Sequence, residues 1–264
     1  MSPDRRGEGV PAVAAGFRWD ETDAGLVLRS EALDPYAHHV CTTRKLEFRD
    51  RRPSPDYDRL AGLLMVTPDH LITVTQVHGS IVFTASDEPS REQPDADAIV
   101  LSDPQRAATV RVADCVPVLI ADRHRRVVAA IHAGWRGTVA AVTRATVRAI
   151  TELGVPAADL VAAIGPSIGP CCYQVDAAVR DPFLAARPDA ARWFHPEAVS
   201  PEPEAHWKLD LWQVNADQLV ESGLAAANVH VAGLCTFEHP SVCFSFRRDG
   251  PAGGRMVAAI RPRV

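Results

Sequence analysis

Cysteine is scarce in this chain: there are six in 264 residues, at positions 41, 115, 171, 172, 235 and 243, and no two form a C-x-x-C pair. A disulfide framework needs a denser set, so the six read as reduced thiols. Long hydrophobic runs are absent as well. No stretch approaches the roughly 18 to 20 apolar residues that span a bilayer, and the Pro11–Ala15 segment is too short for the core of a secretory signal. A cytoplasmic protein without a membrane partner is expected. Neither sign of charge dominates: 28 basic and 33 acidic residues leave a net charge of -5, which creates no global field for polyanions. Nucleic acid is therefore not an expected partner. The chain also lacks a Walker lysine motif, a G-x-G-x-x-G loop and an H-E-x-x-H pair, which removes the usual grounds for P-loop hydrolysis or zinc-protease chemistry.

What is present is a full core. Hydrophobic residues make up 47% and charged residues 23%, the balance of a folded globular chain. The length exceeds the common domain size of about 100 to 150 residues, yet α/β and two-sheet domains of this length are ordinary. Residues 1–23 show little periodicity and read as a loose leader ahead of a first strand at Gly25–Leu28. A second strand is expected at His38–Thr42, a charged loop at Arg44–Pro55 and a short helix at Asp56–Met65. Then comes a run of Val- and Ile-rich strands: Leu71–Val77, Ile81–Thr84, Ala98–Leu101, Ala108–Val112, Val116–Ala121 and Val127–Ile131. The apolar spacing of Thr138–Leu153 predicts one helix, stopped by Gly154 and Pro156. Further helices are expected at Val175–Ala186 and Asp210–Glu221, with strands at Leu160–Ile164, Val229–Leu234 and Met256–Ile260. Strands in runs with interspersed helices point to an α+β fold with mixed sheets rather than a doubly wound one.

Three separated stretches hold the chemistry. Gln76-Val77-His78-Gly79 closes one expected strand, Ala113-Asp114-Cys115-Val116-Pro117 lies between two, and Ile131-His132-Ala133-Gly134-Trp135-Arg136-Gly137 ends another. Two imidazoles and a thiol are the ligand set of an open zinc site. Cys115 also reads as a nucleophile or as a small core residue. Asp97, Asp114 and Gln76 are candidates for orienting an imidazole. Arg136 suits an anion and Trp135 a planar group; Phe244-Ser245-Phe246-Arg247-Arg248-Asp249-Gly250 reads as a strand followed by two arginines and a turn, and those arginines suit phosphate or carboxylate. Gly165-Pro166-Ser167-Ile168-Gly169 matches the G-x-S-x-G elbow in letters, but Pro170 opposes the helix that must follow the serine. A rigid turn carrying Cys171, Cys172 and Tyr173 is the better reading.

Taken together, Thr75–Gly79, Asp97–Val100, Ala113–Asp122, Ile131–Thr138, Ile164–Val175, Leu209–Trp212, Cys235-Thr236 and Phe244–Met256 resemble the laccase-domain family. Its members are called multicopper polyphenol oxidases, purine nucleoside phosphorylases and peptidoglycan editing factors. The resemblance implies a four-layer α/β/β/α sandwich, a single domain over 24–264. It also implies Zn2+ on His78, Cys115 and His132, the catalytic trio, and phosphorolysis of adenosine, inosine and methylthioadenosine together with adenosine deamination. The partners expected are purine nucleosides and phosphate, with the chain a monomer or weak homodimer. Arg136, Trp135, Arg44 and Arg248 are the expected substrate-binding residues. The oxidase name would bring Cu2+, but few of the ten histidines cluster. A cysteine hydrolase with Cys115 as nucleophile, and a non-enzymatic role in the cell envelope, are the rival readings. The chain departs from the family where Thr43-Arg44 runs into Lys45-Leu46-Glu47-Phe48, and where Phe246 replaces a commonly seen tyrosine.

Overall fold

A computed structural model describes residues 10–49, 54–85, 93–124, 126–196 and 206–263. The chain runs through strands β1 (Phe17–Thr22), β2 (Gly25–Ser30) and β3 (Ala37–Thr42), helix α1 (Pro55–Leu63), and short strands β4 (Leu71–Ile72) and β5 (Val82–Thr84). Four longer strands follow: β6 (Ala98–Leu101), β7 (Ala107–Val112), β8 (Val116–Asp122) and β9 (Val128–Ala133). They lead into helices α2 (Trp135–Val139) and α3 (Val142–Glu152). The C-terminal part holds β10 (Leu160–Ile164), β11 (Gln174–Val175), α4 (Ala177–Ala186), β12 (Phe194–Pro196), β13 (Trp207–Leu209), α5 (Leu211–Glu221), β14 (Val229–Val231), α6 (Phe246–Asp249) and β15 (Met256–Pro262).

These strands form two six-stranded sheets, ordered β1-β2-β3-β15-β7-β4 and β14-β10-β8-β9-β6-β5, and a small sheet β11-β13-β12. Both large sheets are mixed, because β4 pairs parallel with β7, β5 with β6 and β10 with β14, among otherwise antiparallel neighbours. Side-chain parity explains the layering. Ile99, Leu119, Ala130 and Val161 of the second sheet pack with Val110, Ala258 and Ile260 of the first, filling the space between the sheets. The alternate residues Val100, Val118, Ile120 and Ile131 face outward onto Val147 and Ile150 of α3 and Val214 of α5. On the far side, Val40, Val257 and Ala259 pack under Tyr57 and Leu60 of α1. Strands buried on both faces read as near-continuous apolar runs, and β8 carries six apolar residues in a row, Val116 to Ala121, before the buried Asp122. The result is the four-layer α/β/β/α sandwich. Among the described residues, no helix is long and apolar enough to cross a membrane.

Four expectations need correction. Part of the supposed leader is a strand: Phe17–Thr22 pairs with β2 along its whole length. Its charged residues hide the alternation of Phe17 and Trp19, and the Trp19 indole donates to the Pro11 carbonyl at 2.8 Å. Residues 1–9 lie outside the described residues. The expected strand Leu71–Val77 shrinks to β4, followed by a single bridge from Thr75 to Asp95. The expected helix Thr138–Leu153 is two helices, broken where Ala141 takes φ 59°. The expected strand at Phe244–Phe246 gives way to α6, whose N-cap Ser245 accepts from the Arg248 amide. The divergent Lys45–Phe48 segment is structural: Leu46 and Phe48 are buried, and the Phe48 ring meets Tyr57 edge-on at 5.0 Å.

Leu119 sits at the centre of the inter-sheet layer. Leu119→Ala is expected to cost about 2–5 kcal/mol through lost burial and the cavity left behind, read as a lower denaturation midpoint with an unchanged m-value.

Candidate functional site

The site begins at one end of the β8–β9 pair. Val116 pairs with Ala133 and Pro117 with His132, so Cys115 enters the site just before β8 while His132 projects from near the end of β9. Gly134 lies beside them. A Cβ there would come within 3.0 Å of Cys115 Sγ and 3.2 Å of His78 Cδ2, so only glycine leaves both side chains their places. His78 arrives from the loop after β4 with φ 60°, and Asp114 precedes Cys115 with φ 82°. Both are left-handed non-glycine residues held at the site by surrounding contacts.

Asp97 joins the two histidines. Its buried carboxylate accepts from the His78 amide at 3.0 Å, the Gly79 amide at 2.6 Å and His132 Nδ1 at 2.8 Å. With Nδ1 engaged, Nε2 is the nitrogen left to His132. The rings of His78 and His132 meet edge-on with centroids 4.8 Å apart. One ligand atom from each of His78, Cys115 and His132 lies within 4.8 Å of the others. The donor set fits a metal. Two imidazole nitrogens and one sulfur, one ring braced by a carboxylate and all three bordering a cavity, suit zinc with an open side, and suit copper as well.

That cavity has a volume of about 590 Å³ and is bordered by Trp135, Tyr173 and Phe246 and by Arg49, Arg111, Arg136, Arg247 and Arg255. Three of the arginines stack on three of the rings: Arg136 on Trp135 at 4.4 Å, Arg247 on Tyr173 at 5.3 Å and Arg255 on Phe246 at 5.4 Å. Stacking holds the cations in place; Arg247 also donates to the Gln174 carbonyl at 2.9 Å and Arg255 to the Gly253 and Gly254 carbonyls at 2.8 and 2.9 Å, each through one of its nitrogens, so part of each guanidinium edge remains for an anion. Asp114 also borders the cavity but is committed elsewhere. It accepts from Thr236 Oγ1 at 2.6 Å, Ser245 Oγ at 3.0 Å and the Arg247 amide at 2.6 Å, tying the Cys115 turn to α6.

Of the expected substrate residues, Arg136 and Trp135 reach the cavity and Arg44 and Arg248 do not. Arg44 stacks on Phe244 at 5.0 Å and donates to the Pro240 carbonyl. Arg248 donates to the carbonyls of Thr236, Phe237 and Cys243 at 2.8 to 2.9 Å, bracing the C-terminal loop. One turn of α6 turns Arg247 toward the cavity instead. Sequence reasoning missed Arg49, Arg111, Arg255 and Tyr173. Arg111 alone left a signal, as the half-buried cation in an otherwise buried β7. Gln76 does not orient an imidazole: it exchanges hydrogen bonds with the Arg111 backbone at 2.8 and 2.9 Å. Ser167 is buried, accepts from the Trp212 indole at 2.6 Å and bridges to Cys235, with no helix after it, so the elbow is not formed.

Residues 52–263 match the family described as multi-copper polyphenol oxidoreductase laccase. The chain belongs to this family. Among its relatives, a purine nucleoside phosphorylase of Bacteroides thetaiotaomicron is 34% identical over 202 residues, 73% of each protein. The purine nucleoside phosphorylase YlmD of Geobacillus stearothermophilus is 32% identical over 259 residues, 91% of this chain and 90% of that protein. The crystal structure of YfiH from Bacillus licheniformis superposes with a TM-score of 0.80 at 26% identity, covering 95% of this chain and all of the other.

In this laccase-family chain Cys115 and His132 form an ion pair when no metal is bound. Burial opposes ionisation of the Cys115 thiol, but the charge on His132 and hydrogen bonds from both imidazoles outweigh it and bring the thiol down to about 6. Burial likewise resists the proton on His132, yet the Cys115 charge and the Asp97 hydrogen bond raise that group to about 9. Burial pushes Asp97 up, and the bonds from His132 and the two amides more than reverse it. Between those values the thiolate faces an imidazolium; as pH falls through about 6 the thiolate is protonated and its nucleophilicity is lost. Alkylation of Cys115 in metal-free protein, followed by peptide mass, is therefore expected to inflect near 6 rather than at the ordinary thiol value of about 8.5. Asp97→Asn is expected to move that inflection upward and, in chelator competition, to weaken metal binding by about 10–100-fold.

Proposed function

We propose that this chain is a metal-dependent purine nucleoside phosphorylase acting on adenosine, inosine and methylthioadenosine, with adenosine deaminase activity at the same centre. The observation that carries this reading is the meeting, in one cavity, of a His-Cys-His ligand set with five arginines and three aromatic rings. The names of the relatives support it. A divalent ion held by His78, Cys115 and His132, zinc being the reading, supplies when bound the Lewis acidity that deamination needs at the purine carbon bearing the amine.

Phosphorolysis breaks the bond between the sugar anomeric carbon and the purine nitrogen and forms a bond from that carbon to a phosphate oxygen. The developing sugar cation and the phosphate dianion must be brought together out of bulk water. Arg136 and Arg247, set on Trp135 and Tyr173, hold the phosphate through charge-assisted hydrogen bonds. The aromatic rings offer flat apolar surface for the base. Arg136 pairs with no carboxylate among the described residues, so its charge is available to substrate. The Asp114 oxygens are engaged by Thr236, Ser245 and the Arg247 amide, so among the described residues the carboxylate forms no ion pair with the cavity guanidinium groups.

The test is to incubate metal-loaded protein with adenosine, with and without phosphate, and to resolve adenine, inosine and hypoxanthine. Adenine is expected only with phosphate, and inosine in both. Arg136→Ala is expected to lower kcat/KM for phosphate by about 10–100-fold, the loss of one charge-assisted hydrogen bond of about 1.5–3 kcal/mol; unchanged phosphate dependence overturns the clamp. Full turnover after chelation would move the chemistry to Cys115 as a thiolate nucleophile, the reading that its lowered thiol value favours.

A further inference from the structure

Outside the cavity trio, a second set of donors converges. Cys171, Cys172, Cys235 and Glu238 each place a ligand atom within 4.8 Å of the others. Two segments far apart in sequence meet to make it. Ser167 bridges Cys235, and the Thr236 amide donates to the Ser167 carbonyl at 3.0 Å, which sets the two stretches side by side. From there the chain folds back on itself: the amides of Cys172 and Tyr173 both donate to the Gly169 carbonyl, at 3.0 and 2.9 Å. Gly169 is wedged in place, since a Cβ there would lie 2.6 Å from the Trp212 ring and 3.2 Å from Cys171 Sγ. The sulfurs are thus held by backbone packing rather than by flexible side chains.

Hydrogen bonds orient two of the sulfurs and the carboxylate. The Gly169 amide donates to Cys235 Sγ at 3.3 Å, and the Cys171 thiol donates to Glu238 Oε2 at 3.3 Å. Cys235 is buried, whereas Cys171 and Glu238 are exposed, so the cluster has a closed floor and an open mouth. In a tetrahedral zinc site with Zn–S of about 2.3 Å, neighbouring sulfurs lie roughly 3.8 Å apart. The observed spread contracts to that by shifts of an ångström or less. Three sulfurs and one carboxylate fill four positions, the mark of a closed structural site rather than a catalytic one.

We propose that Cys171, Cys172, Cys235 and Glu238 form a second, structural site for a thiophilic divalent cation of the zinc type, distinct from the cavity trio. On binding, the three thiols release their protons to solvent and the sulfurs take the cation. The ion pins the turn from Gly169 to Tyr173 against the Cys235 loop. Ile168 and Tyr173 at the two ends of that turn border the cavity, so the site sets the position of one cavity wall.

The test counts metal in the full chain with the cavity trio disabled by Cys115→Ser and His132→Ala. After loading with Zn2+ under reducing conditions and desalting, about one zinc per chain is expected by mass spectrometry of the metal. Adding Cys171→Ser and Cys235→Ser should bring it to near zero. With Co2+ in place of Zn2+, the trio-disabled protein should show the strong sulfur-to-cobalt charge-transfer band of a multi-thiolate site. Should the multiple variants fail to fold by circular dichroism, Glu238→Gln in the otherwise natural chain keeps every sulfur. It should weaken the second of two bound zinc ions by at least the roughly 10-fold that loss of an outer partner costs. A wild-type chain that binds a single zinc, or one in which Cys235 is found in a disulfide with Cys171 or Cys172 even after loading with zinc under reducing conditions, overturns the proposal.

Discussion

A single buried carboxylate organises the site. Asp97 stands just before β6 and is fully buried, and a charge in that position survives only if both its oxygens are hydrogen-bonded. It meets that requirement by taking the amides of His78 and Gly79 and Nδ1 of His132. The same three bonds hold the loop that carries one imidazole and fix the tautomer of the other. The geometry of the ligand trio is therefore a consequence of satisfying one anion, and the φ of 60° at His78 is stabilised by the same bonds.

Asp114 plays the matching part on the other side. Its three bonds connect the turn before Cys115 to Thr236, Ser245 and the first turn of α6. Between them, the two aspartates link segments separated by more than a hundred residues, and both spend their charge on protein donors. The cavity is left with a surplus of arginine although the chain as a whole is acidic at -5. Local field, not net charge, decides what such a cavity attracts.

Much of the fold was legible because burial leaves a periodic mark. The apolar runs at Ala98–Leu101, Val116–Ala121 and Val127–Ile131 announce strands, and α5 is bounded by its Asp210 cap. Legibility failed where a residue's role depends on a distant partner. The alternation in Phe17–Thr22 is obscured by charge because it is an edge strand. The break at Ala141 carries no proline or glycine to betray it. Leu46 and Phe48 looked like a departure from the substrate pocket and are core under α1.

Within the site the division is the same. That His78, Cys115 and His132 share a chemistry could be read from their residue types and flanking turns, since thiol and imidazole chemistry belongs to the side chains themselves, and the structure brings the three together. Beyond Arg136, which arginines face the cavity could not be read, because Arg247 and Arg248 differ only by the rotation of a four-residue helix whose first turn is anchored by Asp114. What the linear order of residues determined by itself was the central strands β6 to β10 and the identity of the donors. Tertiary structure alone decided which donors and cations share a space, because that depends on hydrogen bonds closed between segments with no local signature of one another.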